Sequence, residues 1–113
     1  MDRRILVADD SSTIQKVIKI AFSKYPVEIV EAGSYIEALS AVGKQAPDML
    51  IIDASLPGAH GPDDFAKLKS SSQDAPLLLL VGTYEKVDED SFKAVGLEEF
   101  LPTDWVYLPS VIR

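Results

Sequence analysis

Met49-Leu50-Ile51-Ile52-Asp53 is an unbroken apolar run that ends in an acid. A strand covered by helices on both faces has this composition, because none of its positions meets water. Leu77-Leu78-Leu79-Leu80-Val81, directly after Pro76, is a second run of this kind. Ile5-Leu6-Val7-Ala8 is a third, and it runs into Asp9-Asp10. Between these runs the period changes from strand to helix. Ile14, Val17, Ile18, Ala21, Phe22 and Tyr25 fall on one helical face from Ser11 onward, with Pro26 as the expected stop.

The rest of the chain continues the alternation. Val27 to Ala32 is partly polar, which suits an edge strand. Ser34-Tyr35-Ile36-Glu37 is a capping-box pattern, and Tyr35, Ala38, Leu39 and Val42 then form an apolar stripe with Gly43 as the expected C-cap. Gly61-Pro62 opens another helix, with proline at its first position and Phe65 and Leu68 facing inward. An acidic helix is expected from about Val87 to Val95, capped by Gly96, followed by a short strand at Phe100-Leu101. A repeated strand–helix order implies an α/β fold with a parallel sheet and helices on both faces. The 113 residues fit a single domain, 1–113.

Composition removes several functions. The chain has no cysteine and one histidine, so disulfides, thiolate chemistry and a His-rich zinc site are excluded. A net charge of −7 argues against direct nucleic-acid binding and against anionic membranes. The first apolar segment is too short for a signal peptide or a membrane span, so a soluble, cytoplasmic protein is expected.

Chemistry concentrates in the acids at the strand ends. Ligands of open parallel sheets bind beyond the carboxyl ends of the strands, where strand order reverses. In a 2-1-3-4-5 order, the strands ending in Asp9-Asp10 and in Asp53 are neighbours, and three acids converge. Two carboxylates about 4 Å apart repel by roughly 4 kcal/mol at an effective dielectric near 20. Either one stays protonated or a cation sits among them. Hard oxygen ligands favour Mg²⁺, and an aspartate beside Mg²⁺ can attack a phosphoryl group. The plainer alternative is that Asp9-Asp10-Ser11-Ser12 only caps the first helix and that Asp53 is a turn residue.

These residues resemble the receiver domains of two-component signalling. Ile5-Leu6-Val7-Ala8-Asp9-Asp10-Ser11 is similar to that family's first strand and acidic pair, and Pro47-Asp48-Met49-Leu50-Ile51-Ile52-Asp53 to its third strand and phosphoacceptor. Leu56-Pro57-Gly58 and Gly61 resemble the turn that follows. The likeness runs from about Arg4 to Leu101. It implies a five-stranded, doubly wound, flavodoxin-like sheet in 2-1-3-4-5 order. It also implies Mg²⁺ held by Asp9, Asp10, Asp53 and the backbone carbonyl of Ser55, with Asp53 accepting phosphate from a histidine kinase or a histidine phosphotransfer protein. The phosphorylated form would then act on a downstream protein partner or effector domain.

Two positions depart from the family pattern, and the C-terminal end is also unusual. The strand-four position that carries a Thr or Ser hydroxyl is Val81, with Thr83 two residues on. The Lys-Pro pair after strand five is replaced by Thr103-Asp104. Phe100 takes the aromatic switch position, where it is equally a core residue. Lys86 is a conceivable substitute cation, though a solvated role is the simpler one, and His60 is expected to be exposed. The family's last helix would be shortened, since Pro109 breaks it. The apolar Trp105, Val106, Tyr107, Leu108, Val111 and Ile112 are then expected to form an interface, for a homodimer, a partner or further chain.

Two functions remain: a phosphoacceptor receiver, and a pseudo-receiver that acts as an interaction or dimerisation module without phosphate. A small Mg²⁺-dependent phosphatase would need a second, acidic group after Asp53, and Asp53-Ala54-Ser55 supplies none. Enzyme activity beyond assistance with its own phosphorylation and dephosphorylation is not expected.

Overall fold

The computed structural model describes residues 3–82 and 85–103. Strands and helices alternate: β1 (Arg3–Ala8), α1 (Ser12–Ala21), β2 (Val27–Ala32), α2 (Tyr35–Lys44), β3 (Met49–Asp53), α3 (Pro62–Ser70), β4 (Leu77–Val81), α4 (Glu89–Lys93) and β5 (Glu99–Pro102). All pairings are parallel, in the order β2-β1-β3-β4-β5. The expected α/β class and strand order are what the chain adopts, and the partly polar β2 lies at an edge.

Strand alternation divides the apolar side chains between two cores. Leu6, Ala8, Leu50, Ile52, Leu77 and Leu79 point to one face, where Tyr35, Ala38 and Val42 of α2, Phe65 and Leu68 of α3 and Phe92 of α4 cover them. Ile5, Val7, Ile51 and Leu80 point to the other, against Ile14 and Ile18 of α1. Each fully buried Leu, Ile or Phe contributes roughly 1.5–3 kcal/mol. With the side-chain period fixed at two, these faces also fix the register. Leu6 pairs with Leu50 and Ala8 with Ile52, while Leu50 pairs with Leu77 and Ile52 with Leu79.

Helix ends depart from the expectations. α1 stops at Ala21 with Phe22 as its cap, four residues before Pro26. The Ser23 hydroxyl donates to the Ile20 carbonyl at 2.8 Å, and the Ser23 N–H bonds the same oxygen, so a tight turn replaces helix. Tyr25 therefore lies beyond α1, 63% exposed, edge-on to Phe22. Gly43 does not cap α2; the helix runs through it to Lys44 and leaves through an extended Gln45 at φ −159°. The Ser34 side chain does accept the Glu37 N–H, but Glu37 reaches back to the Gly33 N–H instead of that of Ser34. α4 is shorter than expected, because Asp88 caps it by accepting the Ser91 N–H, leaving Val87 outside. Gly96, at φ +88°, closes the turn after α4.

No helix of the described residues is long and apolar enough to cross a membrane. Thr83, Asp104 and the apolar segment from Trp105 onward, with the interface and shortened last helix expected there, lie outside the described residues.

Candidate functional site

The carboxyl ends of β1 and β3 bring the three acids together. Ala8 pairs with Ile52, so the next residues, Asp9 and Asp53, emerge side by side. One carboxylate oxygen from each of Asp9, Asp10 and Asp53 lies within 4.8 Å of the others. At that separation a pair of charges repels by roughly 3 kcal/mol at an effective dielectric near 20, and solvent around the exposed Asp10 and half-buried Asp53 lowers this further.

Local hydrogen bonds aim the side chains. The Asp9 N–H extends the sheet by donating to the Ala32 carbonyl at 2.9 Å, which holds Asp9 in the interior. Its Oδ1 accepts the Ser11 N–H at 2.8 Å. Gln15 fixes the same corner, its Nε2 donating to the carbonyls of Asp9 and Ala32 at 2.7 and 3.3 Å. Asp53 repeats the device, with Oδ1 accepting the Ser55 N–H at 2.9 Å. Capping of α1 falls to Ser11, whose Oγ accepts the Ile14 N–H. Asp9 and Asp53 thus each hold a turn at their strand end, while capping of α1 leaves the exposed Asp10 without a role.

Burial is the main reason Asp53 is pushed up from 3.8 to about 6, with further increments from Asp9, Glu85 and Asp10 and opposition from the Ser55 N–H. Asp9 is likewise raised, first by burial and then by Asp10 and Glu85, against the Ser11 N–H. The two ion pairs among the described residues, Arg4–Glu28 at 2.7 Å and Lys19–Glu31 at 2.8 Å, involve none of these acids. Such a pocket of hard oxygens with raised proton affinity is suited to a small divalent cation.

A fourth acid, Glu85, joins the site without having stood out in the sequence. Its Oε1 accepts the Gly82 N–H at 2.9 Å and its Oε2 accepts the Ser55 hydroxyl, tying the end of β4 to the turn after Asp53. Gly82 makes this possible, since a Cβ there would stand 2.5 Å from Glu85 Oε1. The glycine directly after β4 is the signal that the sequence holds; the neighbouring Lys86 is exposed.

The altered positions lie as follows. Val81 ends β4 half-buried, and its carbonyl accepts both the Thr103 N–H at 2.9 Å and the Thr103 hydroxyl at 3.3 Å. Thr103 is 7% exposed and its hydroxyl is committed to the strand end. Phe100 is half-buried, edge-on to Phe92 with ring centroids 6.0 Å apart, so it packs as a core residue. His60 is exposed, as expected, and its N–H donates to Asp64 Oδ2.

Comparison with known proteins follows the same lines. The sequence pattern of the family described as "Response regulator receiver domain" matches residues 5–105. The response regulator MprA of Mycobacterium bovis (strain BCG / Pasteur 1173P2) is 29% identical over 104 residues, 90% of this chain and 44% of that protein. The chain thus spans less than half the length of that relative. The chemotaxis response regulator CheY4 of Vibrio cholerae superposes with a TM-score of 0.79 at 23% identity, over 99% of this chain and 93% of that one. The receiver domain of sensor histidine kinase PA1611 from Pseudomonas aeruginosa PAO1, solved with a magnesium ion coordinated in its active site cleft, gives 0.75 at 18% identity, over 92% and 87%. With the acids converging at the strand ends of a 2-1-3-4-5 sheet and the pattern matched over most of its length, the chain belongs to the response regulator receiver domain family.

Proposed function

We propose that this receiver domain is a Mg²⁺-dependent phosphoacceptor in a two-component phosphorelay, with Asp53 as the residue phosphorylated. The observation that carries this reading is the convergence of Asp9, Asp10 and Asp53 within 4.8 Å. Asp9, Asp10, Asp53 and the Ser55 carbonyl would hold the ion. Bound there, Mg²⁺ would neutralise the acids and draw charge from phosphoryl oxygens.

Asp53 performs the transfer. Its free carboxylate oxygen attacks the phosphorus of a phosphohistidine on a histidine kinase or phosphotransfer protein. A P–O bond forms, the P–N bond breaks, and the electron pair stays on the imidazole nitrogen, which takes up a proton. The Ser55 N–H orients Asp53 by holding Oδ1. The modified domain then shifts toward a form that binds a downstream protein or effector domain. A cytoplasmic location, no direct nucleic-acid or membrane contact, and no activity beyond assistance with its own phosphorylation complete the reading.

One set of observations favours a second reading, a pseudo-receiver that binds partners without phosphate. Val81 has no hydroxyl, and the Thr103 hydroxyl is engaged with the Val81 carbonyl. Intact mass after acetyl phosphate and Mg²⁺ separates the two. The phosphoacceptor reading expects one added phosphoryl group, absent from Asp53→Ala. No added mass, with Mg²⁺ bound and no amide NMR response to beryllofluoride, would leave the pseudo-receiver.

A further inference from the structure

Glu85 lies where the chemistry of phosphorylation would put no acid. Its carboxylate joins two hydrogen-bond donors beside Asp53, the backbone N–H of Gly82 and the hydroxyl of Ser55. The Glu85 N–H closes the same turn by donating to the Gly82 carbonyl at 3.1 Å. The bare Cα of Gly82 is the space into which the carboxylate fits. Glu85 is half-buried, and its charge is felt at both Asp53 and Asp9.

A phosphoryl group on Asp53 brings oxygens that need such donors. Charged oxygens bond N–H and O–H groups about twice as strongly as neutral ones do. Around Asp53, the Ser55 N–H is already used by Asp53 itself, the Thr103 hydroxyl by Val81, and the Gly82 N–H and Ser55 hydroxyl by Glu85. Among the described residues, an incoming dianion therefore reaches the Gly82 N–H and the Ser55 hydroxyl only by displacing a carboxylate of its own sign.

We infer that Glu85 is an internal anion that occupies the phosphoryl-binding donors of the site, so that it sets the pocket's preference for a divalent cation over a phosphoryl group. This rests on the phosphoacceptor reading of Asp53. A cation gains from the fourth negative charge, whereas a phosphoryl group gains only after the Glu85 side chain has swung away. Glu85 thereby stands as a gate on phosphorylation, in a domain that lacks the strand-four hydroxyl and the lysine after β5.

The test compares the wild-type domain with Glu85→Ala and Glu85→Gln, the latter keeping length without charge. Mg²⁺ alone is titrated by calorimetry, and beryllofluoride at saturating Mg²⁺ by amide NMR. In both variants beryllofluoride is expected to bind about tenfold or more tightly than in wild type, and Mg²⁺ several-fold more weakly. In the metal-free Glu85→Ala protein, the Gly82 amide proton is expected to shift upfield as its hydrogen bond is lost. Equal beryllofluoride affinity in all three proteins, or an unmoved Gly82 resonance, overturns the gate and leaves Asp53 as acceptor. Mg²⁺ binding with no beryllofluoride response in any of them overturns the phosphoacceptor reading and the gate together.

Discussion

Asp53→Asn should make the metal-free domain more stable, and only above the pH at which the acid ionises. The Asp53 carboxyl is pushed from 3.8 up to about 6, chiefly by burial and then by the negative charges of Asp9, Glu85 and Asp10. A group whose folded value lies above its unfolded value holds its proton more tightly when folded. Below pH 3.8 both states are protonated and the group costs nothing. As pH rises from there toward 6, the unfolded chain releases its proton first and stability falls. Above about 6 the whole cost is in place. Each tenfold gain in proton affinity corresponds to about 1.36 kcal/mol, so the full cost is about 3 kcal/mol. Asp53 is partly exposed, and screening by solvent brings the expected gain to about 1–3 kcal/mol.

Asparagine cannot ionise, and its side-chain oxygen can still accept the Ser55 N–H that Oδ1 accepts at 2.9 Å. Urea unfolding in EDTA, followed by far-UV circular dichroism at pH 4 and pH 7.5, measures the difference. The variant should match wild type within about 0.5 kcal/mol at pH 4 and exceed it by about 1–3 kcal/mol at pH 7.5. With Mg²⁺ at about 100 times its dissociation constant, wild type should recover roughly 2.7 kcal/mol and the gap should close. A gap that does not change with pH, or a wild type more stable than the variant at pH 7.5 without metal, refutes the reasoning.

Two further outcomes follow from position. Asp10 is exposed at the pocket rim, but its charge bears on Asp9 and Asp53, so Asp10→Asn should raise the metal-free melting temperature slightly at neutral pH. Calorimetry should nonetheless show its Mg²⁺ affinity reduced about tenfold or more, since loss even of an outer partner of a metal site typically costs that much; unchanged uptake would remove Asp10 from the site. Leu79, with no exposed surface in the core beneath α2, α3 and α4, should cost about 2–5 kcal/mol as Leu79→Ala. A loss under about 1 kcal/mol by urea unfolding would contradict that packing.

What the sequence made legible is what depends on burial alone. Met49–Ile52 and Leu77–Val81 had to be central strands, because an unbroken apolar run cannot face water on either side. Helix ends were less legible because they turn on local competitions that periodicity does not record. At Ile20 a serine hydroxyl three residues on takes the carbonyl, and α1 ends early. At α2 the chain leaves through an extended Gln45, so Gly43 never needs the left-handed conformation that would make it a cap. Glu85 was hidden for a different reason. Its partner Ser55 is thirty residues away, and their meeting depends on a turn whose only trace in the sequence is one glycine.

The site itself follows from the register of β1 against β3, and the register follows from the two cores. Shifting β3 by one residue would turn Leu50 and Ile52 toward α1, and Ile51 toward α2 and α3. It would also point Asp53 away from Asp9. Such a slip would relieve repulsions that, together with burial, cost Asp53 about 3 kcal/mol at most. Against that stand Leu50, Ile51 and Ile52, all buried, each contributing roughly 1.5–3 kcal/mol in its present place. Apolar packing therefore holds the carboxylates together against their own repulsion. That opposition is what makes the pocket responsive: charge added or removed at Asp9, Asp10, Asp53 or Glu85 acts on groups that the core does not allow to separate.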